Sequence, residues 1–105
     1  MGLFVSVKEN QMFNNDRYAT RGIAAAVPLS IQHILWYMID TMNGEKDYLQ
    51  VFELSMKNGK QHIIHRQEQP NYSMNYTFNV VDPIVAKIYV IDDGSHSTML
   101  LAEEY

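Results

Sequence analysis

The chain has 105 residues, 47% hydrophobic and 19% charged, with a net charge of −4 at pH 7. That describes one globular domain burying roughly two-thirds of its unfolded surface, and it excludes a disordered chain. The 8 Lys and Arg residues are scattered, which argues against a nucleic-acid surface, and with no cysteine there is neither a disulfide framework nor a thiolate metal site.

No apolar run approaches the roughly 18 to 20 residues that a membrane-spanning helix needs, and the lack of cysteine is compatible with a cytoplasmic protein. Residues 1–11 read as an N-terminal extension ahead of a single domain over 12–105, with Met12 itself a conceivable start. Met1 to Ser6 fits the short myristoylation pattern, but Leu3 to Val7 is too short for a signal-peptide core. Met12 to Asp16 is polar and reads as a loose lead-in. Ile23 to Val27 reads as a first strand, although its three alanines also suit a helix; small side chains there would let the next helix approach closely.

Ser30 to Met42 is the clearest helix. Ile31, Ile34, Leu35, Met38, Ile39 and Met42 form one apolar stripe, Pro28 suits the first turn, and Asn43-Gly44 supplies a left-handed stop. Tyr48–Met56 and Lys60–Glu68 read as strands joined at Asn58-Gly59, because a type I′ turn needs positive φ at both central positions. The register then sets Lys57 against Lys60, Met56 against Gln61, Leu54 against Ile63, and Phe52 against His65. Tyr72–Val81, Ile84–Ile91 and Ser97–Ala102 complete the strands, so the fold class is α+β: one amphipathic helix on a mostly antiparallel sheet of about five or six strands.

Both faces of this sheet carry apolar side chains, yet one helix covers one face. Tyr48, Phe52, Leu54, Met56 and Ile63 share the first face; Leu49, Val51 and Ile64 share the other with Glu53, Ser55, His62, Arg66 and Glu68. The second face must be covered by loops and curling, by a homodimer partner, or by another protein. Trp36 lies off the helical stripe, either as an interaction hot spot or packed beneath Arg17–Thr20. Trp36, Leu49, Val51, Ile64 and Arg66 are therefore the candidate partner-binding residues.

No pattern specifies a reaction. His62 and His65, three apart on a strand, point to opposite faces and cannot share an ion, and His65 opposite Phe52 reads as a hydrogen-bonded histidine at the core edge. Asp92 to Ser97 gathers acid, base and hydroxyl, but the same residues make an ordinary hairpin loop. The glycines are isolated and assigned to turns or a strand start, Glu103-Glu104 to a solvated tail, and Arg17, Tyr18 and Arg21 to a solvated strand edge. Catalytic, cofactor and metal residues are accordingly assigned to none.

Several stretches together carry a resemblance: Arg17-Tyr18-Ala19-Thr20-Arg21-Gly22, Leu35-Trp36 with Ile39-Asp40, Asp47 to Leu54, Gln67-Glu68-Gln69-Pro70, and Ala86 to Gly94 continuing through His96 to Leu101. From about Met12 to Tyr105 the chain resembles the small family catalogued as domain of unknown function 960, found in Gram-positive bacteria and their phages. The resemblance implies a small cytoplasmic protein and supplies no catalytic residues. The expected function is thus a non-enzymatic protein–protein interaction module, with an unknown protein or a second copy as partner. The alternatives are a small-molecule binder or small enzyme near the 92–97 loop, and a nucleic-acid-associated regulator using Arg17, Arg21 and Arg66.

Overall fold

A computed structural model describes residues 12–105; the N-terminal extension and its myristoylation-like pattern lie outside them. Six strands form one sheet: β1 (Asp16–Ala19), β2 (Leu49–Lys57), β3 (Lys60–Gln67), β4 (Tyr72–Phe78), β5 (Ala86–Asp92) and β6 (His96–Leu101). Two helices, α1 (Arg21–Ala26) and α2 (Leu29–Asp40), lie between β1 and β2, and a 3₁₀ turn, Ala102–Glu104, follows β6. The spatial order is β1-β6-β5-β2-β3-β4. Every pairing is antiparallel except β1 with β6, so the first and last strands of the domain run side by side.

The β2–β3 hairpin has the register that Asn-Gly dictates, with Lys57 opposite Lys60 and Phe52 opposite His65. Asn58 and Gly59 supply φ values of 53° and 77°. Side chains alternate across this pleat. Phe52, Leu54, Ile63, Ile88, Val90 and Met99 therefore share one face, where they meet Ile31, Leu35, Met38 and Ile39 of α2 in the buried core. Ile34, the remaining early member of the stripe, is half-buried.

The stretch expected as a first strand is helical instead. Thr20 caps α1, its Oγ1 accepting the Ile23 N–H at 3.3 Å, and alanine favours helix over strand. Only Ile23 of α1 is buried; Ala24, Ala25 and Ala26 face solvent, so they do not serve close helix packing. Val27 is extended, as a residue preceding proline should be, and this breaks α1 from α2. The buried Gln32 braces that elbow by donating to the Val27 carbonyl at 2.9 Å.

Two segments read as loose are tied down. Phe13 is 1% exposed, and its N–H donates to Asp92 Oδ2 at 2.8 Å. Glu104, read as tail, accepts from Thr20 Oγ1 at 2.6 Å, Leu101 N at 2.8 Å and Gly22 N at 3.2 Å. The Thr20 hydroxyl, ahead of the two amides, holds its carboxyl below the usual range. Gly22 sits inside α1, where a Cβ would meet the Glu104 carboxylate at 2.6 Å.

Leu35 is fully buried at the centre of the helix–sheet contact, whereas Leu29 is 63% exposed. Leu35→Ala is expected to lower unfolding free energy by about 2–5 kcal/mol, and Leu29→Ala by well under 1 kcal/mol, in urea titrations.

Candidate interaction surfaces

The helix α2 leaves a cleft of about 530 Å³ against the edge strand β1, lined by Arg17, Tyr18 and Ala19 on one side and Leu29, His33, Trp36, Tyr37 and Asp40 on the other. Arg17 organises it. Its Nε and Nη2 donate to the Phe13 carbonyl at 3.2 and 2.9 Å, and Nη1 donates to Asp40 Oδ2 at 3.1 Å. The guanidinium carbon lies 4.6 Å from the Trp36 ring centroid, a cation–π distance. Trp36 is thus packed against the Arg17 segment, and it also touches the margin of the core.

The backbone of β1 is bonded on one side only. Thr20 N donates to Met99 O, and in a parallel ladder alternate residues turn to the same partner. Asp16 and Tyr18 therefore bond toward β6, while the N–H and C=O groups of Arg17 and Ala19 point outward beside the cleft.

The other four candidate residues lie elsewhere. Leu49, Val51, Ile64 and Arg66 sit on the face of the sheet opposite the helices, together with Tyr89, Ile91 and Leu100. Arg66 Nη2 donates to Glu53 Oε2 at 2.8 Å, and this hydrogen bond pulls the Glu53 carboxyl below its ordinary range. Tyr105 meets Tyr89 edge-on with ring centroids 5.5 Å apart. Val51 is only 5% exposed, while Leu49, Ile64 and Arg66 are half-buried. Trp36 and this open face are separate surfaces on opposite sides of the sheet.

The polar clusters are absorbed by structure. In the 92–97 loop, Asp92 Oδ1 accepts from Gly94 N and Asn15 Nδ2 at 2.8 and 3.1 Å. Asp93 Oδ1 accepts from Ser95 N, Ser95 Oγ and His96 N. The His96 and Ser95 amides, in that order, hold the Asp93 carboxyl below its usual range. Ser97 Oγ donates to Asn15 Oδ1 at 2.6 Å, tying this loop to the segment before β1. Among the described residues no three His, Asp or Glu side chains gather as a metal site, and none of the helices could cross a membrane. Arg17 and Arg66 pair with Asp40 and Glu53 on different surfaces, so they do not build a basic stripe with Arg21.

The family described as "Staphylococcal protein of unknown function (DUF960)" matches residues 16–104. The chain belongs to this family. The solved structure of a protein of unknown function from Enterococcus faecalis is similar to this DUF960 chain, at 28% identity and a TM-score of 0.76, over 88% of this chain and 92% of that one. No curated protein matches it.

On the inward face of β2 and β3 the chain carries a buried polar network that sequence reasoning read only in part, since it placed His65 at the core edge. His65 is fully buried, stacked on Phe52 at 4.3 Å, and its Nε2 lies 2.7 Å from Gln50 Oε1. Gln50 Nε2 donates to Gln67 Oε1 at 2.7 Å and to the Asp47 carbonyl at 2.8 Å, so Gln50 Oε1 is an acceptor and His65 carries its proton on Nε2. Nδ1 is left without a partner among the described residues. Gln67 Nε2 in turn donates to the carbonyls of Glu45 and Pro70. The signal for this network was polar residues at the inward positions 50, 65 and 67 of β2 and β3.

Burial pushes the His65 pKa down to about 4 from 6.5. The neutral ring is the folded form, so its contribution is complete above pH 6.5, where the unfolded chain is also neutral, and falls as pH drops toward 4. Between pH 7 and 5, urea unfolding of the wild type should lose about 2 kcal/mol from this residue, a component that His65→Phe lacks. A pH profile identical in both proteins would contradict the assignment.

Proposed function

We propose that this chain is a non-enzymatic protein–protein interaction module working in the cytoplasm, and that an extended segment of a partner protein docks along β1 into the Trp36 cleft. The observation that carries this reading is the outward-facing backbone of Arg17 and Ala19 beside an aromatic-lined cleft of about 530 Å³. A strand added to such an edge gains main-chain hydrogen bonds, and its alternate side chains enter the adjoining groove. Arg17, fixed by Phe13 and Asp40, holds the Trp36 ring in place before the partner arrives, which reduces the ordering cost of binding.

The open sheet face is less suited to this role. Val51 is already buried, Leu49, Ile64, Tyr89, Ile91 and Leu100 are half-buried, and Arg66 and Tyr89 already meet Glu53 and Tyr105. The cytoplasmic setting fits a chain without cysteine.

A random peptide library panned against the protein tests the reading. Enriched peptides should carry an aromatic or aliphatic side chain at alternate positions and shift the amide resonances of Arg17 and Ala19 and the Trp36 indole. Trp36→Ala should weaken them at least tenfold. Ala19→Pro, which removes an outward N–H without touching the β6 ladder, should abolish binding while the fold is retained. Peptides that instead perturb Leu49, Ile64 and Leu100 would place the docking surface on the open face and contradict the reading.

A further inference from the structure

The second edge of the sheet goes beyond that reading, because β4 is built differently from β1. Its seven residues, Tyr-Ser-Met-Asn-Tyr-Thr-Phe, include no charge and no proline, the usual devices that blunt an edge. Residues 73 to 77 are exposed throughout, with Met74 at 42% and Tyr76 at 47%. Beside them lies an apolar hollow of about 200 Å³ lined by Ile34, Tyr37, Met38, Tyr76 and Phe78.

The hairpin turn determines which backbone groups of β4 are free. A two-residue loop makes Lys57 and Lys60 a hydrogen-bonded pair, so 60, 62, 64 and 66 of β3 bond toward β2, and 61, 63, 65 and 67 bond toward β4. The Asp92 N–H donating to Tyr48 O across β5 and β2 fits the same alternation. The partners of 61, 63, 65 and 67 are Phe78, Tyr76, Met74 and Tyr72. The N–H and C=O groups of Ser73, Asn75 and Thr77 therefore point away from the sheet.

We propose that β4 pairs antiparallel with β4 of a second copy of this chain, about a two-fold axis at Asn75. The strand is chemically symmetric about that residue: Ser73 and Thr77 are hydroxyls, Met74 and Tyr76 are large and soft, and Tyr72 and Phe78 are aromatic. Pairing Asn75 with its own copy sets Ser73 against Thr77, Met74 against Tyr76 and Tyr72 against Phe78. These are the hydroxyl, sulfur–aromatic and aromatic cross-strand pairs that stabilise antiparallel sheets. The same register makes Ser73, Asn75 and Thr77 the hydrogen-bonded rungs, matching the groups left free. Both copies of α2 then lie on one side of a continuous sheet, and their apolar hollows face each other across the axis. A C2 contact needs such self-complementarity. β1 lacks it, since Asp16 and Arg17 break any symmetry and only Arg17 and Ala19 point outward.

Light scattering after size exclusion, over a series reaching about 1 mM chain, tests the pairing. The wild type should approach twice the 12.2 kDa chain mass. Asn75→Lys, which sets two like charges opposite each other, should raise the dimer dissociation constant at least tenfold with an unchanged circular dichroism spectrum. Asn75→Cys provides an independent measure in a chain without cysteine. Opposed α-carbons of a hydrogen-bonded pair lie about 5.5 Å apart, so a short bismaleimide should give a covalent dimer that Asn43→Cys does not. A wild type that stays monomeric, a dimer indifferent to Asn75→Lys, or an Asn75→Cys protein that cross-links no better than Asn43→Cys would each overturn the proposal.

Discussion

A mismatch of widths governs this structure. Six strands with interstrand spacings of roughly 4.8 Å make a sheet about 24 Å across, while an α-helix measures roughly 10 Å. The longer described helix, α2, lies over the central strands, where Phe52, Ile63, Ile88 and Val90 supply its core contact. The flanks remain open, and the two clefts follow, one beside β1 and one beside β4, with Tyr37 at the rim of both. The two surfaces proposed for docking are thus what a narrow helix leaves uncovered on a broad sheet.

Such a fold must secure its margins by other means. The start of the domain is held by the Asp92 carboxylate on Phe13 and Asn15, and by Ser97 on Asn15. Its end is held by Glu104 on Thr20, Gly22 and Leu101. Apart from the local bond to Leu101, these contacts join segments about eighty positions apart, and with the parallel β1–β6 pair they lock the two ends together. Toward β4, where helix cover thins, the His65–Gln50–Gln67 chain fills the interior with hydrogen-bonded polar groups and anchors the carbonyls of Glu45, Asp47 and Pro70. The bond to Gln50 Oε1 sets the tautomer of His65, whose Nδ1 is the ring nitrogen left without a partner among the described residues.

Much of the fold was legible because its signals are local. The stripe from Ile31 to Met42 and the Asn58-Gly59 turn each follow from a few adjacent residues, and the turn carried the register of β2 and β3 with it. β1 was not legible as a strand: four exposed residues with two charges have no alternation, and their partner lies at the far end of the chain. The alanines of α1 were ambiguous, and the decisive feature was the Thr20 cap three residues before Ile23. Trp36 could be placed off the helical stripe, but its pairing with Arg17 depended on β1. The five candidate residues divide between the two surfaces expected of them, Trp36 on the helix side and Leu49, Val51, Ile64 and Arg66 on the open face. Glu104 carried no signal at all, since the groups it binds are brought to it only by the folded chain.

Amide hydrogen exchange, resolved residue by residue and repeated across protein concentration, tests the central claim that the two free sheet edges are the working surfaces. The account predicts that Ser73, Asn75 and Thr77 become protected as concentration rises, while Arg17 and Ala19 exchange rapidly until an extended peptide is added. If the three β4 amides exchange as open-edge amides at every concentration, and peptides protect only amides away from both edges, the account is wrong.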